Sequence, residues 1–583
     1  MIGANGHVAI GFAIRLLWAL AASIVGGALL LGAGRREKLL TPRVDLVIRI
    51  ARILLVVLSV FWIACWIGIA LIRLPYPYEL EWVGGSMREA CERLLYGDPL
   101  YVAPTAGWFP FEYPPLYTAA CALLMRLFGG PSFWTMRLVS ILATIGCARL
   151  LALWMRAILK TEPDEPDEAD EARRLRLRAE ERRSARTWSL IAAGLFFAAY
   201  RVTGAWYDVE RLDMLFLFLS LLGAWLLEIS VERPLVVWRS SLYAFLAGVA
   251  LSLAFLTKQQ ALLFAFAGVG ALAWRRAWPQ MALFVAAVAA VSGDAVWLLN
   301  TLSGGWFAYY CFKVPMANGI RVGLVRQFLT VDILLFLPAL TLIGAVALRA
   351  RRRERAAEQA SPDEEARALS GARPGRYAIL VTMTLAAILI GLLSRGHWGG
   401  YENVLIPPYV FLGTAACVAA SVWERSHRGG AIPVYLLIGA QMIALTYRPD
   451  QQIPTAANRA AGSEFQRIVA MLETKGPVFC PEHGGVTNPP HFHILGLGDV
   501  KRAEGAIPAD IAAAIREKRF VAIVCDNAPG PGVGLDGLIS RSYYPQESPR
   551  IGGPWTVTGH LTPPPPGRIY VLRPRPPGVA IRP

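Results

Sequence analysis

Two glutamates one residue apart, Glu79 and Glu81, stand in PYPYELEWVGG directly after a long apolar run. A carboxylate within hydrogen-bond reach of a hydroxyl can accept its proton as a general base. Leu80 separates the two acids in a turn-rich stretch, so one can face a substrate while the other serves the protein. A solvated loop start with two ordinary acids is the competing reading. A second acid group, Asp208, Glu210 and Asp213, flanks Arg211 in YDVERLD between two apolar segments. Asp213 lies so close to its apolar run that burying it without a partner would be costly, and Arg211 is the local counter-ion. Glu79, Glu81 and Asp208 are the candidate catalytic acids.

Lys258 sits in FLTKQQALLF with apolar residues on both sides. A lysine there costs on the order of a few kcal/mol unless it snorkels to the surface or finds an anion. A phosphate would be such an anion; snorkelling alone is the alternative. RGHWGGYENVLIPP supplies Arg395, His397, Tyr401, Glu402 and Asn403 just before another apolar run. Its glycines either let backbone approach a ligand closely or simply shape a turn. Together with Lys258, Arg211, Asp213 and Tyr113 of FEYPPLY, these residues form the candidate substrate-binding set.

The elements that must position these groups are membrane spans. Hydrophobic residues make up 55% of the 583-residue chain and charged ones only 17%. Segments 7–33, 46–73, 133–158, 187–205, 212–231, 241–256, 260–274, 279–299, 331–349, 377–394, 404–423 and 431–447 predict about twelve spans. The first lacks the basic start and the small-residue cleavage site of a secretory signal, so it reads as a span. Pro114–Gly129 is too short to cross, and a crossing there would reverse the charge pattern, so an interfacial helix is expected. Lys and Arg gather in loops 35–43, 160–186, 233–239, 275–276, 349–376 and 425–428, all on one side of this span order. The positive-inside rule makes that side cytoplasmic. It places the Glu79/Glu81 loop, 206–211, 257–259, 300–330, 395–403 and the C-terminal tail outside. The net charge of +16 is split among short loops rather than gathered in one patch, which excludes nucleic acid as a partner.

Residues 1–447 are thus expected to form the membrane domain. From Arg448 onward Pro and Gly rise and long apolar runs stop. Segments 478–480, 520–525 and 568–572 read as short strands, and 463–475 and 508–518 as helices. The expected fold class is an all-α polytopic membrane protein with a small extracytoplasmic α/β domain at 448–583. Cys480 and Cys525 end two of the strands, where an oxidising compartment would allow a disulfide. Cys480, His483, His491 and His493 fall in CPEHGGVTNPPHFH, but their spacing matches no zinc motif. They are expected as polar loop residues at the mouth of a site.

The acid-x-acid loop, the YPPLY segment, the arginine of WTMRLVSIL, then YDVERLD, FLTKQ and GYENVLIPP follow one another at successive outer edges. In that order they resemble the GT-C superfamily of integral-membrane glycosyltransferases, in particular the branch related to protein mannosyltransferases and aminoarabinose transferases, over residues 46–447. The family motif is usually written Asp-Glu or Asp-x-Asp where this chain has Glu-x-Glu, so which glutamate is the catalytic acid stays open. The N-terminal span is an addition to the family pattern. The resemblance implies transfer of a sugar, with inversion, from a polyprenyl-phosphate donor to an extracytoplasmic acceptor (a cell-envelope glycan, a lipid or a protein). It implies a multi-pass protein of the bacterial cytoplasmic membrane, with donor, acceptor and bilayer as partners. It puts Lys258, then Arg211 or Arg395, on the donor phosphate, and leaves room for one cofactor, a divalent metal bridging Glu79 or Glu81 with Asp208. A polytopic transporter or lipid-linked-sugar flippase is the alternative. Such a protein would carry acids and helix breakers at mid-span, whereas here they gather at the outer loop edges.

Overall fold

The computed structural model describes the chain except for residues 1, 34–41, 161–170, 232–236, 361–374, 398, 428–430, 488–491, 528–529, 559–566 and 577–583. His491 therefore lies outside the described residues. The apolar runs fold as helices, because a segment in a bilayer must satisfy its backbone hydrogen bonds internally. In chain order these are α1 (Ile2–Ala33), α2 (Pro42–Arg73), α3 (Gly84–Tyr96), α4 (Leu116–Leu127), α5 (Phe133–Leu159), α6 (Glu171–Ala198) and α7 (Asp213–Ser230). There follow α8 (Val237–Thr257), α9 (Ala261–Trp274) and α10 (Trp278–Leu302); then, after short helical turns, α11 (Leu337–Ala360), α12 (Ala378–Arg395), α13 (Ile406–Ser426) and α14 (Ile432–Ala444).

Among the described residues, nine helices are long and apolar enough to cross a membrane, which makes this a multi-pass membrane protein. The other three expected spans are helical but fall short of that standard. Helices α9 and α14 have 14 and 13 residues, about 20 Å at 1.5 Å per residue against a hydrocarbon core of about 30 Å. Helix α6 begins with an Arg- and Glu-rich stretch and becomes apolar only in its second half. Helix α4, where an interfacial helix is expected, has 12 residues. It buries Tyr117, Cys121 and Met125 and leaves Leu123, Leu127 and Phe128 exposed.

The segment between α2 and α3 is pinned by one residue of α5. Arg137, fully buried near the N-terminal end of α5, donates from Nε to Glu210 at 2.8 Å and from Nη1 to the Arg73 carbonyl at 3.2 Å. It also reaches the carbonyls of Tyr76 and Tyr78. Four acceptors would lose their donor in Arg137→Ala, and Glu210 would be left as a buried lone charge. That variant is expected to lose about 3–5 kcal/mol of stability, read as a lowered unfolding temperature in detergent.

After α14 the chain builds a four-stranded sheet from β1 (Val478–Phe479), β2 (Ala522–Cys525), β3 (Tyr543–Glu547) and β4 (Tyr570–Pro574), in the order β1-β2-β4-β3. Strands β1 and β2 are parallel and the other pairs antiparallel. Helices α15 (Ala456–Glu473), α16 (Ile494–Glu504), α17 (Ala509–Arg516) and α18 (Asp536–Ser542) accompany it. Three strands match the sequence reading; β3 is additional, at the edge, where its Pro545 costs no ladder bond. The disulfide does not form: both cysteines are free thiols. The register pairs Phe479 with Ile523, so Cys480 falls beside Val524 rather than Cys525. Successive residues face opposite sides of a sheet. Cys480 packs accordingly with Phe465 and Val469 of α15, and Cys525 with Ile511 and Ile515 of α17.

The sheet does not stand apart from the membrane part. Its second core contains Trp108 and Phe109 of the segment between α3 and α4 and Phe307 and Tyr310 of the segment after α10. Leu80 accepts hydrogen bonds from the backbone N–H groups of Val557 and Thr558, both at 2.9 Å. The segment between α2 and α4 and the sheet therefore pack against each other.

Candidate active site

Three elements deliver the candidate side chains to one place: the turn between α2 and α3, the turn between α6 and α7, and the break between α8 and α9. Alternation along the Glu-Leu-Glu run sends the two glutamates to different partners. Glu81 is completely buried, and its Oε1 accepts from Arg211 Nη1 at 3.1 Å. Its Oε2 is buried with no hydrogen-bond partner among the described residues. Burial, opposed by Arg211, pushes its pKa up to about 7. Arg211 also donates to the Tyr113 hydroxyl at 3.3 Å and lies 5.0 Å from the Trp206 ring centroid. Its Nε is a second buried group without an acceptor. Burial raises the pKa of Tyr113, which keeps its proton and lies in the field of Arg211, Lys258 and Asp213.

Lys258 caps the α8–α9 break and is buried, not snorkelling. Its ammonium donates to Asp213 Oδ1 at 2.8 Å, the same oxygen that Asn403 Nδ2 meets at 3.0 Å. Asp213 Oδ2 is left without a partner. The expected Arg211–Asp213 pair is thus replaced by two pairs, Arg211–Glu81 and Lys258–Asp213. Buried polar atoms are nearly always hydrogen-bonded. Here three adjoining residues, Glu81, Arg211 and Asp213, each keep one buried atom unbonded. Tyr401 borders the group, edge-on to Trp82 with ring centroids 6.3 Å apart.

The other candidates lie elsewhere. Glu79 is bonded to His483 at 2.7 Å, to Gly85 N–H at 2.9 Å and to Trp555 at 3.3 Å. Asp208 pairs with Arg73 at 3.1 Å and accepts from the Tyr200 hydroxyl at 2.8 Å. Asp208 thus sits in a cluster of its own with Arg73 and Tyr200, its Oδ2 buried and unbonded, and a metal bridging Glu79 or Glu81 with Asp208 does not fit these residues. Among the described residues no group of three or more His, Cys, Asp or Glu is placed to hold a metal ion. Arg395 pairs with Asp332 at 3.0 Å and donates to the Gly400 carbonyl at 2.7 Å, so its charge is already matched. Gly400 is required there, since a Cβ would fall 2.2 Å from the Ser394 carbonyl oxygen. His397 and Glu402 are half-buried beside this turn and make no side-chain bond to the Glu81 group.

His483 and His493, expected at the mouth of a site, are both buried. His493 accepts from Leu495 N–H at 3.1 Å through Nδ1, so Nε2 carries the proton toward the carbonyls of Trp82 and Glu482. Burial and neighbouring His483 push its pKa down to about 3, which keeps it neutral. Arg73, Asp332 and Asp526 carry no signal in the sequence. Arg137 and Glu210 stand inside quoted motifs, but nothing local reveals that they meet.

This fold recurs in a solved structure. The apo crystal structure of ArnT from Cupriavidus metallidurans superposes with a TM-score of 0.53 at 14% identity, covering 88% of this chain and 97% of that one. The chain has the GT-C fold. The structure of the same ArnT bound to undecaprenyl phosphate matches the GT-C fold of this chain with a TM-score of 0.52 at 13% identity, again over 88% and 97%. No protein-family model matches the chain, and no curated protein does. At such identities the likeness fixes the GT-C fold; the chemistry must come from the residues.

Proposed function

We propose that this chain is a membrane glycosyltransferase that moves a sugar from a polyprenyl-phosphate donor to a hydroxyl acceptor on the extracytoplasmic side. Glu81 is the general base. The observation that carries this reading is its buried, unbonded Oε2 beside the unbonded Nε of Arg211. In a single displacement, Glu81 takes the acceptor proton as the acceptor oxygen bonds to the anomeric carbon. The bond from that carbon to phosphate breaks on the opposite side, and the phosphate leaves with its electron pair. That step inverts the anomeric configuration. The leaving phosphate gains negative charge in the transition state, where fixed cations stabilise it most. Arg211, with a donor to spare, is the first contact and Lys258 the second; Arg395 drops out because Asp332 and Gly400 occupy it. ArnT, which shares the fold, has been solved with undecaprenyl phosphate, which agrees with a lipid-linked donor here. The paired and unpaired charges gather at the outer ends of α2, α7 and α12 rather than at mid-span, which disfavours a transporter.

The test uses the full chain in nanodiscs with a panel of undecaprenyl-phosphate hexoses and pentoses, following release of undecaprenyl phosphate. Release from at least one donor, together with saturable binding of undecaprenyl phosphate, is expected. Undecaprenyl phosphate that does not bind, with no donor consumed, would refute the reading.

A further inference from the structure

Buried Glu79 and His483 and half-buried Asp526 form a line of charges between the segment that follows α2 and the sheet. The sheet topology creates it: parallel neighbours β1 and β2 end side by side, and their following loops carry His483 and Asp526. His483 Nε2 lies 3.2 Å from both Asp526 oxygens, and Nδ1 lies 2.7 Å from Glu79 Oε1. The ring is enclosed by Phe465 and Trp555, with centroids 5.4 and 4.4 Å away. Glu482 and His493 are the other titratable groups that feel it. Burial alone would discharge the imidazole, but Asp526 and Glu79 raise its pKa well above the usual range, so both ring nitrogens donate.

The other end of this line sets the shape of the Glu81 turn. Glu79 Oε2 accepts the Gly85 N–H at 2.9 Å, closing the 79–85 segment on itself. The sheet loop lies so close that a Cβ on Gly85 would fall 1.9 Å from the Gly484 carbonyl oxygen. Gly485 N–H donates to Glu89 Oε1 at 2.6 Å, and Arg88 returns a bond to the Gly485 carbonyl at 2.5 Å. Leu80 is fixed on both sides, by Glu210 at its N–H and by Val557 and Thr558 at its carbonyl. Glu81 is therefore suspended between two anchored points, and the second anchor depends on Glu79.

We propose that His483 is a positioning residue: held by Asp526, it locks Glu79 and thereby fixes the turn that presents Glu81. Its effect on turnover rests on the reading of Glu81 as the base. The sheet domain is then a working part of the active site, because it supplies the clamp on the loop that carries the base.

The two amide analogues of His483 separate its two bonds. In His483→Asn the amide nitrogen falls near the position of Nδ1 and keeps the donor to Glu79. In His483→Gln it falls near Nε2 and keeps only Asp526. Amide hydrogen exchange at residues 79–85 in full-length protein is expected to speed up about tenfold or more in the Gln variant and by less than about threefold in the Asn variant. Turnover of the donor identified from the undecaprenyl-phosphate panel should fall about 10- to 100-fold in Gln and by less than about threefold in Asn, with donor KM nearly unchanged in both. If the Gln variant does not fold, Glu79→Gln gives the exchange measurement instead, with the same expectation. Wild-type exchange at 79–85, or equal losses of turnover in the Asn and Gln variants, overturns the positioning role. Full turnover in Glu81→Gln refutes the base assignment separately, and the exchange result then decides whether His483 holds the turn.

Discussion

Glu81→Gln is expected to lower turnover by about two to four orders of magnitude while undecaprenyl phosphate binds within about threefold of wild type. Glutamine keeps the size of the side chain and an oxygen for the Arg211 bond at Oε1, so the buried pocket survives. What it loses is the basicity of the oxygen that no protein group occupies. Wild-type kcat/KM should also rise with pH through the Glu81 pKa of about 7, because only the ionised carboxylate can take a proton. Below that value Glu81 is protonated and the base is absent; above it the rate reaches a plateau. The Gln variant should lose this limb together with its turnover. Glu79→Gln, in contrast, should keep the limb, because Glu79 has both oxygens committed to His483, Trp555 and Gly85. A Glu81→Gln enzyme with wild-type rate and an unchanged pH limb would remove Glu81 from the chemistry.

The helices were legible because length and apolar content are local properties, and each expected span did fold as a helix. The charges between them were only half legible. Sequence reasoning sees that Asp213 needs a cation, and it finds Arg211 two positions away. Residues two apart at a helix start do not face each other, so Arg211 turns to Glu81 and Asp213 to Lys258. The same displacement occurs at Asp208, whose cation is Arg73, and at Glu210, whose cation is Arg137. Each acid of YDVERLD is matched by a residue that the fold, and not the chain, brings near. His483 shows the limit most clearly: its loop suggests a polar mouth, but its partner Glu79 lies 404 residues earlier. Strand β3 was hidden by a proline that reads as a breaker until its edge position is known. The disulfide expectation failed on register, which two strand ends in a sequence do not reveal.

Lys258 sets the second large effect, and the structure changes how it must be tested. Its ammonium is buried against Asp213, so Lys258→Met alone leaves a lone carboxylate in a buried site. That should cost about 3–5 kcal/mol of stability whether or not a phosphate ever reaches it. A drop in donor binding in the single variant would therefore prove little. Combining Lys258→Met with Asp213→Asn removes both charges at nearly constant volume, and replacing a buried pair by uncharged groups is often close to neutral. The double variant is expected to regain most of the lost unfolding temperature. It should still bind undecaprenyl phosphate at least about tenfold more weakly, since a fixed cation on an anion in a low-dielectric site contributes more than about 1.4 kcal/mol. Arg211 remains in that variant and accounts for the residual binding. If the stable double variant bound undecaprenyl phosphate as tightly as wild type, the Lys258–Asp213 pair would be purely structural. The phosphate would then rest on Arg211, whose unbonded Nε would be its sole charged anchor in this cluster.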